Sequence, residues 1–508
     1  MKIHKKSLIV LLIVILLSAG FLTKGSGFAL DRNVVQPFSS QQNQLNQSTF
    51  GVGAGTVWPK QVFAPFVDIT AWVSDKQYSS AGALDLAKVY ADTGVLYYNL
   101  GFIGYNLSNA YANGAYGKMV DWCFGGYPEL TERRTHSQYQ GIKDTIKGIR
   151  ERGGDIALSI GGGVERSNFF QRTQDVTILR NTYLDIINGF GLTRLDLDIE
   201  GSGQDKAGNI ANAKAIKQVQ ALTGVQITLT LPSAPNGLSG LGLQVLEAYL
   251  LQGVDIAVVN AMTMCYGLDT LNRGESYGAG AVRAGESLKG QLQAHYLTKA
   301  NVALTDKEAY AKVGTTISIG YQSASFPTFT TEWARLMYDW AQSNKVGMLS
   351  FWSLNRDSKT QANRGVSKQY EFSNIYKGYT AALPSTVKIT MQSNGGNKLK
   401  TEILPYGATS ADLPTPSKQG ATFAGWFADK QLSKPISNFT ENQTIYAKWV
   451  SNDSGQVAQT TQNSPILQTE PIVDSPKIPF SFYCISIVFL LMPFWLIRIF
   501  FSIKPLRF

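Results

Sequence analysis

Eight short apolar runs of strand character alternate with helical patterns between about residues 60 and 375, and this alternation restricts the fold more than any other feature. The runs lie at 62–70, 95–103, 155–160, 192–200, 225–231, 254–264, 313–320 and 346–353. Helical patterns between them include 138–152, 177–190, 207–222, 241–251 and 330–344. Strands that alternate with helices favour an α/β fold with a parallel sheet. Eight such units predict a closed (β/α)8 TIM barrel over residues 59–380, with a doubly wound open sheet as the alternative.

The two ends of the chain differ from this alternating body. Residues 1–29 combine a basic start, an apolar run and a small-residue cleavage site, which is the layout of a secretory signal peptide. Residues 478–501 contain an uncharged apolar stretch followed by basic residues. This pattern predicts a C-terminal transmembrane helix with the preceding chain outside, and a buried core helix is the alternative. Seven Lys and Arg residues at these ends carry most of the net charge of +10, so the body gives little support for nucleic-acid binding.

Three further segments flank the barrel. Residues 30–58 are rich in Gln, Asn, Ser and Gly, which predicts a mobile linker. Residues 386–450 lose the helical patterns, and Val, Thr, Gly, Pro and aromatic residues dominate there, which predicts a small β-rich module. Residues 451–477 are rich in Gln, Ser, Thr and Pro and are typical of a linker or stalk.

Histidine and cysteine are scarce, with three of each in 508 residues. This composition excludes a disulfide-stapled scaffold, a cysteine-rich metal cluster and most histidine-based zinc sites. We therefore expect no metal and no cofactor. Cys123 and Cys265 fall on the loop-bearing face of the predicted barrel, where either a disulfide or two free thiols would be possible in an oxidising exterior.

The fourth strand-like run carries three acidic residues at alternate positions. Because side chains alternate between the two faces of a strand, Asp196, Asp198 and Glu200 share one face. In a parallel barrel this face turns to the lumen, where stacked carboxyls are unfavourable unless they are protonated or hydrogen-bonded. Repulsion between them raises one pKa, so that one group can act as a general acid near neutral pH. An edge strand with a solvated acidic face is the structural alternative.

The Asp-x-Asp-x-Glu pattern at the end of a fourth barrel strand resembles the family 18 glycoside hydrolases, the chitinases and their relatives. Other strand ends carry motifs similar to those of the family, in barrel order. They are Phe66-Val67-Asp68-Ile69-Thr70 on strand one, as in a bacterial and archaeal chitinase subgroup, Ser159-Ile160-Gly161-Gly162 on strand three, Met262-Thr263-Met264-Cys265-Tyr266-Gly267 on strand six, and Phe351-Trp352-Ser353-Leu354-Asn355-Arg356-Asp357 on strand eight. The resemblance covers residues 60–375.

The resemblance implies retaining, substrate-assisted catalysis. Glu200 would protonate the leaving glycosidic oxygen, and the acetamido oxygen of the substrate would be the nucleophile. Asp198 would orient the acetamido group, and Asp196 would tune the Asp198–Glu200 pair. Tyr266 would donate a hydrogen bond to the acetamido oxygen, and Trp352 would form the floor under the sugar, with barrel packing as the alternative role.

Further residues are implied to contact the substrate, an N-acetylglucosamine polymer or glycan. They are Met262, Met264, Ser159, Gly161, Gly162 and Trp72. For Trp72 and Trp122, in the loops after strands one and two, a sugar platform and structural packing are equally open. At three positions the chain departs from acidic residues of the family pattern, and there it carries Thr193, Cys265 and Ser323. Thr193 is expected to remove a supporting carboxylate from the acidic stack.

Within residues 386–450, three short motifs resemble the Listeria-Bacteroides-type surface repeat. They are Tyr406-Gly407, Phe423-Ala424-Gly425-Trp426-Phe427 and Thr444-Ile445-Tyr446-Ala447-Lys448-Trp449. The resemblance implies a β-grasp-like module that acts as a spacer or contact domain. Trp426 and Trp449 belong either to its core or to a glycan-binding surface, and the core is the favoured interpretation.

These features predict a glycosidase of the cell surface, anchored in the membrane by its C-terminal helix, with its catalytic domain outside a Gram-positive-type bacterium. It would cleave β-1,4 links in chitin or chito-oligosaccharides and would not bind nucleic acid. An endo-β-N-acetylglucosaminidase acting on glycoprotein glycans is an alternative within the same chemistry. A catalytically impaired glycan-binding lectin and an adhesin that binds through its β module are alternatives of other classes.

Overall fold

A computed structural model of the chain describes residues 48–106, 118–163, 167–382, 384–436 and 438–452. All of the described residues belong to one compact unit, which ends at Asn452. The predicted signal peptide (1–29), nearly all of the predicted stalk (451–477) and the predicted transmembrane helix (478–501) lie outside the described residues. Among the residues that are described, no helix is long and apolar enough to cross a membrane.

Eight parallel strands close into a barrel within the described residues, as the sequence predicts. They are β1 (Val62–Phe63 and Phe66–Asp68), β2 (Tyr97–Tyr105), β3 (Asp155–Gly161), β4 (Arg194–Asp198), β5 (Gln226–Ala234), β6 (Ile256–Met262), β7 (Val313–Ser318) and β8 (Met348–Trp352). Each strand pairs in parallel with its neighbour, and β8 closes onto both parts of β1. This closure excludes the doubly wound open sheet.

Helices follow the strands and cover the outside of the barrel. Those described are α1 (Leu86–Thr93), α2 (Ser137–Arg150), α3 (Val176–Phe190), α4 (Lys206–Thr223), α5 (Gly240–Leu251), α6 (Tyr277–Ala300), α7 (Asp306–Lys312), α8 (Thr331–Asn344) and α9 (Glu371–Tyr376). Most begin at a side-chain cap, such as Asp85 before α1 and Asp175 before α3, whose carboxylates accept backbone N–H bonds. The caps fix where each helix leaves its loop, and therefore how the loops surround the barrel mouth.

Residues 48–58 pack against the amino-terminal end of the barrel strands and are not a mobile linker. Asp155, the first residue of β3, is fully buried and accepts hydrogen bonds from Thr56 N at 3.0 Å, Trp58 Nε1 at 3.2 Å and Arg150 Nε at 2.8 Å. A buried carboxylate needs such partners, and residues 48–58, which we call the strap, supply two of them. The linker prediction for 30–58 therefore fails over its last eleven residues, because they complete a buried ion-pair network of the barrel.

A four-stranded sheet follows the barrel. Its strands are β9 (Thr386–Gln392), β10 (Glu402–Pro405), β11 (Ala421–Phe427) and β12 (Gln443–Ser451). The order is β10-β9-β12-β11, with a parallel central pair and antiparallel outer pairs. Having the first and last strands at the centre supports the β-grasp-like prediction. Phe423 lies 5.3 Å from Trp426 and 5.7 Å from Trp449, and Trp449 Nε1 donates to the Ser393 carbonyl oxygen at 2.8 Å, so both tryptophans have packing roles.

Candidate active site

The three acidic residues of the fourth strand lie together at the carboxyl end of β4, inside the ring of strands. Asp196 pairs in register with Ser159 of β3, and Asp198 pairs with Gly161 of β3. Asp196 and Asp198 are buried, whereas Glu200, which follows the strand, is partly exposed. The alternation of side chains along a strand thus gives the order predicted from the sequence, with the outermost acid nearest to solvent.

Asp196 is held by hydroxyl groups from both neighbouring strands. Its Oδ2 accepts a hydrogen bond from Ser159 Oγ at 2.5 Å, and its Oδ1 accepts one from Thr230 Oγ1 at 2.6 Å. Thr230 Oγ1 in turn accepts from Asn260 Nδ2 at 3.0 Å, and Asn260 Oδ1 accepts from Thr316 Oγ1 at 2.9 Å. This chain of bonds runs through the lumen from β3 to β7 and fixes the Asp196 carboxylate in one orientation.

The pKa values of the three carboxyls are all shifted upward. Burial raises the pKa of Asp196 to about 6, although the hydrogen bonds from Ser159 and Thr230 act in the opposite direction. Burial, and then the neighbouring charges of Glu200 and Asp196, raise the pKa of Asp198 well above its ordinary value. Burial also raises the pKa of Glu200. The Asp198–Glu200 pair therefore retains a proton at a higher pH than two isolated carboxyls would, as a general acid requires.

Thr193 does not belong to the acidic stack, contrary to expectation. Its hydroxyl donates to the Thr56 carbonyl oxygen at 2.5 Å and to Asp155 Oδ2 at 3.0 Å, so it secures the strap at the base of the barrel. The next residue, Arg194, occupies the lumen below Asp196, and its guanidinium lies 4.8 Å from the centre of the Trp58 ring. A positive charge therefore precedes the acids on the same face of β4.

Gly161 and Gly162 allow the end of β3 to approach its neighbours closely. Gly161 has φ 116°, and a Cβ there would overlap the carbonyl oxygen of Asp198. Gly162 N donates to that oxygen at 3.1 Å, and a Cβ on Gly162 would lie 2.9 Å from the Phe102 ring. These contacts give both glycines a role in positioning the acidic strand, whereas their predicted contact with substrate stays a prediction.

Trp352, the predicted floor under the sugar, lies at the carboxyl end of the barrel strands. It ends β8, is partly exposed, and stacks on Phe102 with ring centres 5.5 Å apart and planes inclined by 22°. Phe66 lies 6.4 Å from its ring. Met262 is buried at the end of β6, and Met264 beyond it is partly exposed. A partly exposed, stacked indole at this end of the barrel is suited to bind the apolar face of a sugar.

The comparisons with known proteins agree with this geometry. The chain is 30% identical over 343 residues to a probable bifunctional chitinase/lysozyme of Escherichia coli K12, and 31% identical over 311 residues to endochitinase 11 of Metarhizium anisopliae. The catalytic domain of a hyperthermophilic chitinase from Pyrococcus furiosus covers 64% of this chain and 96% of its own length, with 26% identity and a TM-score of 0.52. The barrel resembles the family 18 chitinase domains in sequence and in fold.

The sequence similarity covers only part of this chain and part of each relative. The match covers 64% of this chain but 35% of the Escherichia coli protein, and 59% of this chain but 53% of the Metarhizium protein. The chain thus spans about a third of one curated relative and about half of the other. Residues 388–448 match the Listeria-Bacteroides repeat domain, which confirms the predicted resemblance of the β module.

Tyr266 of the chitinase-like barrel has its hydroxyl bonded away from the acids. The hydroxyl donates to the carbonyl oxygen of Tyr277, at the start of α6, at 2.5 Å. The two rings stack with centres 4.2 Å apart and planes 20° apart, and Tyr266 is buried. Its predicted hydrogen bond to an acetamido oxygen would require this bond to be exchanged for one to the substrate.

The two tryptophans of the first loops have different surroundings. Trp72 is 64% exposed and lies over Gly82, so its ring is available at the surface. Trp122 is fully buried, and its Nε1 donates to Asp185 Oδ2 at 2.8 Å. The platform role therefore remains open for Trp72, whereas Trp122 packs inside the loop region.

Cys123 and Cys265 are free thiols in this structure. Cys123 is buried, and burial raises its pKa to about 12, whereas Cys265 is exposed at the barrel mouth. Ser323 lies in the loop after β7, where its hydroxyl accepts a hydrogen bond from Ser325 N at 3.2 Å. Within the described residues, no group of three or more His, Cys, Asp or Glu side chains could hold a metal ion.

Arg356 is a site residue to which the sequence analysis gave no role. It follows β8 and is only 9% exposed, and its Nη1 donates to Ser318 Oγ at 2.6 Å and to Gln322 Oε1. Its signal in the sequence was a charged residue inside a strand-end motif of the predicted barrel mouth. The next residue, Asp357, is also fully buried and accepts bonds from Phe372 N and Ser373 N, which ties β8 to α9.

Proposed function

We propose that this protein is an extracellular, membrane-anchored glycosidase that hydrolyses β-1,4 links of N-acetylglucosamine polymers with retention of configuration. The observation that carries the proposal is the alignment of Asp196, Asp198 and Glu200 at the barrel mouth, with their pKa values raised. The chitinase names of its relatives support chitin or chito-oligosaccharide as the substrate class.

In the first step, Glu200 transfers its proton to the leaving glycosidic oxygen. The C1–O bond breaks while the acetamido oxygen of the same sugar bonds to C1, which gives a cyclic oxazolinium ion and the free alcohol of the leaving sugar. Asp198 Oδ1 is buried without a hydrogen-bond partner, so it is suited to accept the acetamido N–H and to stabilise the positive charge.

In the second step, water attacks C1 from the face that the leaving group vacated. Glu200, now a carboxylate, accepts the proton of this water, and the C1–O bond to the acetamido oxygen breaks. Two displacements at C1 restore the original β configuration. Asp196 stays hydrogen-bonded below and keeps a negative charge near Asp198, while Trp352 supports the sugar ring. No metal or cofactor takes part in either step.

The proposed location outside the cell is based on the sequences at the two ends of the chain. The signal peptide at 1–29 would direct export, and the apolar segment at 478–501 would anchor the protein in the membrane. The β module and the stalk at 451–477 would then act as a spacer between the membrane and the catalytic barrel.

The test is turnover by the full chain and by Glu200→Gln with chitotetraose, chitin and a high-mannose glycopeptide. Glu200→Gln is isosteric but cannot donate the catalytic proton, so products should disappear while affinity is kept. Glu151→Gln, at an exposed position after α2, is the matched control and should behave as wild type. Near-wild-type turnover by Glu200→Gln would refute the assignment. Products from the glycopeptide alone would favour the endo-β-N-acetylglucosaminidase.

A glycan-binding lectin is the second candidate, and the position of Tyr266 favours it. Its hydroxyl is already bonded to the Tyr277 carbonyl oxygen, so a family contact to the acetamido oxygen is occupied. A lectin would bind chitotetraose in calorimetry with equal affinity in wild type and Glu200→Gln, and neither protein would release products.

A further inference from the structure

Arg194 is a buried cation in the lumen of the barrel. Its guanidinium lies 4.8 Å from the centre of the Trp58 ring, and its Nε and Nη1 have no hydrogen-bond partner. Among the described residues, no Asp or Glu lies within ion-pair distance of it. Buried charges are normally paired, so an unpaired cation inside a barrel needs a counter-charge close by.

The register of β4 places Arg194 below Asp196. Arg194 pairs with Gln226 of β5, and Asp196 pairs with Thr228, with no shift of register between them. Residues two apart on a strand point to the same face, and their Cα atoms lie about 7 Å apart. Because Asp196 faces the lumen, Arg194 faces it as well, one layer nearer to the base of the barrel. The two side chains are therefore neighbours along the strand.

The strap holds the guanidinium from below. Trp58 Nε1 donates to Asp155 Oδ2 at 3.2 Å, which fixes the indole, and the face of the ring carries Arg194 in a cation–π contact. Asp155, the acid at the base, is already paired with Arg150 Nε at 2.8 Å. This leaves Asp196, one layer above, as the acidic neighbour of Arg194 on its own strand.

The other charged and titratable groups around Asp196 lie at the two ends of the lumen. At the mouth are Asp198, Glu200, Asp68 at the end of β1, Cys265 after β6 and Arg356 after β8, and at the base are Asp155 and Tyr97. The side chains of β3, β5, β6 and β7 in the hydrogen-bond chain of Asp196 are neutral, namely Ser159, Thr230, Asn260 and Thr316. Arg194 is thus the cation that adjoins Asp196 from the base.

The charges of Arg194 and Asp196 act on each other. Burial raises the pKa of Asp196, and the charge of Arg194 lowers it. Burial lowers the pKa of Arg194 to about 10, so the guanidinium stays charged at neutral pH. In the low dielectric of a closed lumen such a charge acts over several ångströms. Without Arg194 the Asp196 carboxyl would therefore take up its proton at a higher pH.

We infer that Arg194 is a positioning residue, which lies on Trp58 of the strap and supplies the positive charge that keeps Asp196 in its carboxylate form. The inference rests on the proposed glycosidase function, in which the negative charge of Asp196 supports Asp198 beside the positive oxazolinium ion. It makes the strap, at the base of the barrel, a support of the site at the mouth.

The contact with Trp58 also defines a competing role, in which Arg194 only holds the strap against the barrel. A purely structural residue changes stability and lowers the rate by the same factor at every pH. A positioning charge moves the pH at which the carboxyl stack becomes negative, and with it the acidic limb of the pH–rate profile. The limb moves upward when the cation is lost, because a cation favours the ionised form of a neighbouring acid.

The first test is the pH dependence of kcat/KM for chitotetraose, measured with the full chain. Arg194→Met keeps an unbranched side chain against Trp58 without the charge, and its acidic limb should lie about one pH unit higher than in wild type. Arg194→Lys keeps the charge and should restore most of the wild-type profile. Arg335→Met, at an exposed position of α8, is the matched control and should leave the profile unchanged. An unshifted limb in Arg194→Met, or an equal shift in Arg194→Lys, would overturn the inference.

A carbon-13 NMR titration of the side-chain carboxyls tests the same charge without substrate. The Asp196 signal is the one that is absent in Asp196→Asn. Its midpoint should rise by about one pH unit in Arg194→Met and stay near the wild-type value in Arg194→Lys. If wild type cleaves no substrate, this shift would still support the role of Arg194, while the missing turnover would refute the hydrolase alone. An unchanged midpoint would refute the role of Arg194 whatever the turnover.

Two variants keep the inference testable if Arg194→Met does not fold. Arg194→Gln removes the charge but keeps N–H donors, and it should shift the Asp196 midpoint in the same direction. Trp58→Leu keeps the charge but removes the ring under it, so the midpoint should rise by a smaller amount. A midpoint that falls or stays constant in Arg194→Gln would contradict the positioning role, and an unchanged midpoint in Trp58→Leu would refute the contribution of the strap.

Discussion

Asp196 combines full burial with two hydrogen bonds, and its pKa of about 6 lies above the ordinary value of 3.8. The folded chain therefore binds this proton more tightly than the unfolded chain does. The stability that follows is fully present below about pH 4 and is lost as the pH rises through about 6. Relative to Asp196→Asn, wild type should lose stability over this window. Thermal melts of both proteins between pH 4 and 7 measure the difference, and a constant difference would contradict the assignment.

The face that a side chain occupies was predictable where side chains alternate along a strand. The alternation along the fourth strand placed Asp196, Asp198 and Glu200 on one face, and the structure has them there. The same alternation assigns Arg194 to that face, whereas the resemblance to the family motif had assigned the position of Thr193 to the acidic stack. The bond from Tyr266 to Tyr277 was not predictable, since it depends on where α6 begins after a loop of irregular backbone.

At the scale of elements, the close approach of β3 and β4 depends on Gly161. A methyl group at this residue would overlap the Asp198 carbonyl oxygen, and the φ of 116° is unfavourable for alanine. Gly161→Ala should therefore destabilise the fold and lower kcat by moving Asp198. Gly290→Ala is the matched control, because that helical glycine has no other atom within 4 Å of an added Cβ. Urea unfolding and initial rates test both variants, and equal behaviour would contradict the role of Gly161.

The docking of α9 against β8 depends on Asp357. Its carboxylate accepts bonds from Phe372 N at 2.9 Å, Ser373 N at 2.8 Å and Ser373 Oγ at 2.8 Å. Asp357→Asn replaces one acceptor oxygen by a donor and should lower the free energy of unfolding by about 2 kcal/mol. Asp339→Asn, at an exposed position of α8, should change it little. Chemical denaturation measures both, and a loss no larger than that of Asp339→Asn would contradict this account.

Hydrophobic periodicity predicts which segments are strands and which are helices. It does not predict the break in the first strand or the short helix α7, which depend on a proline and on a helix cap. The first strand-like run is split because Pro65 has no N–H to donate, although its carbonyl still accepts from Asn99 N at 3.0 Å. Helix α7 was not among the helical patterns named from the sequence, although Thr305 and Glu308 form a capping box that marks its start. The strap at 48–58 could not be predicted from local composition, because its partners lie about a hundred residues along the chain.

At the scale of the whole molecule, the described residues show few polar contacts between the barrel and the β module. An exposed ion pair joins Lys60 to Glu441, and the Tyr406 hydroxyl lies 3.5 Å from the Trp58 carbonyl oxygen. Exposed ion pairs contribute little, so deletion of 386–450 should leave the barrel folded and chitotetraose turnover unchanged. Hydrolysis rates and melting curves of both forms are the measurement. Loss of turnover would show that the module is part of the catalytic unit, whereas loss of surface binding alone would fit an adhesin.

The order of the barrel and the β module was predictable because the composition changes between them. Helical periodicity ends before the β module, and the module carries its own motif spacing, which the family match at 388–448 confirms. The boundary between the predicted linker (30–58) and the barrel was not predictable, since polar residues before a barrel are compatible with both a linker and a packed strap. The hydrogen bonds of this segment to the buried carboxylate of Asp155 show that it is a packed strap, and these bonds form only in the folded barrel.

The central claim is that Glu200 and the acetamido group of the substrate together cleave the glycosidic bond. Proton NMR of the first products from chitotetraose tests it most directly, with Glu200→Gln as the control. The account predicts that wild type releases the β-anomer first, before mutarotation, and that Glu200→Gln releases no product. An initial α-anomer, or equal product from both proteins, would contradict it.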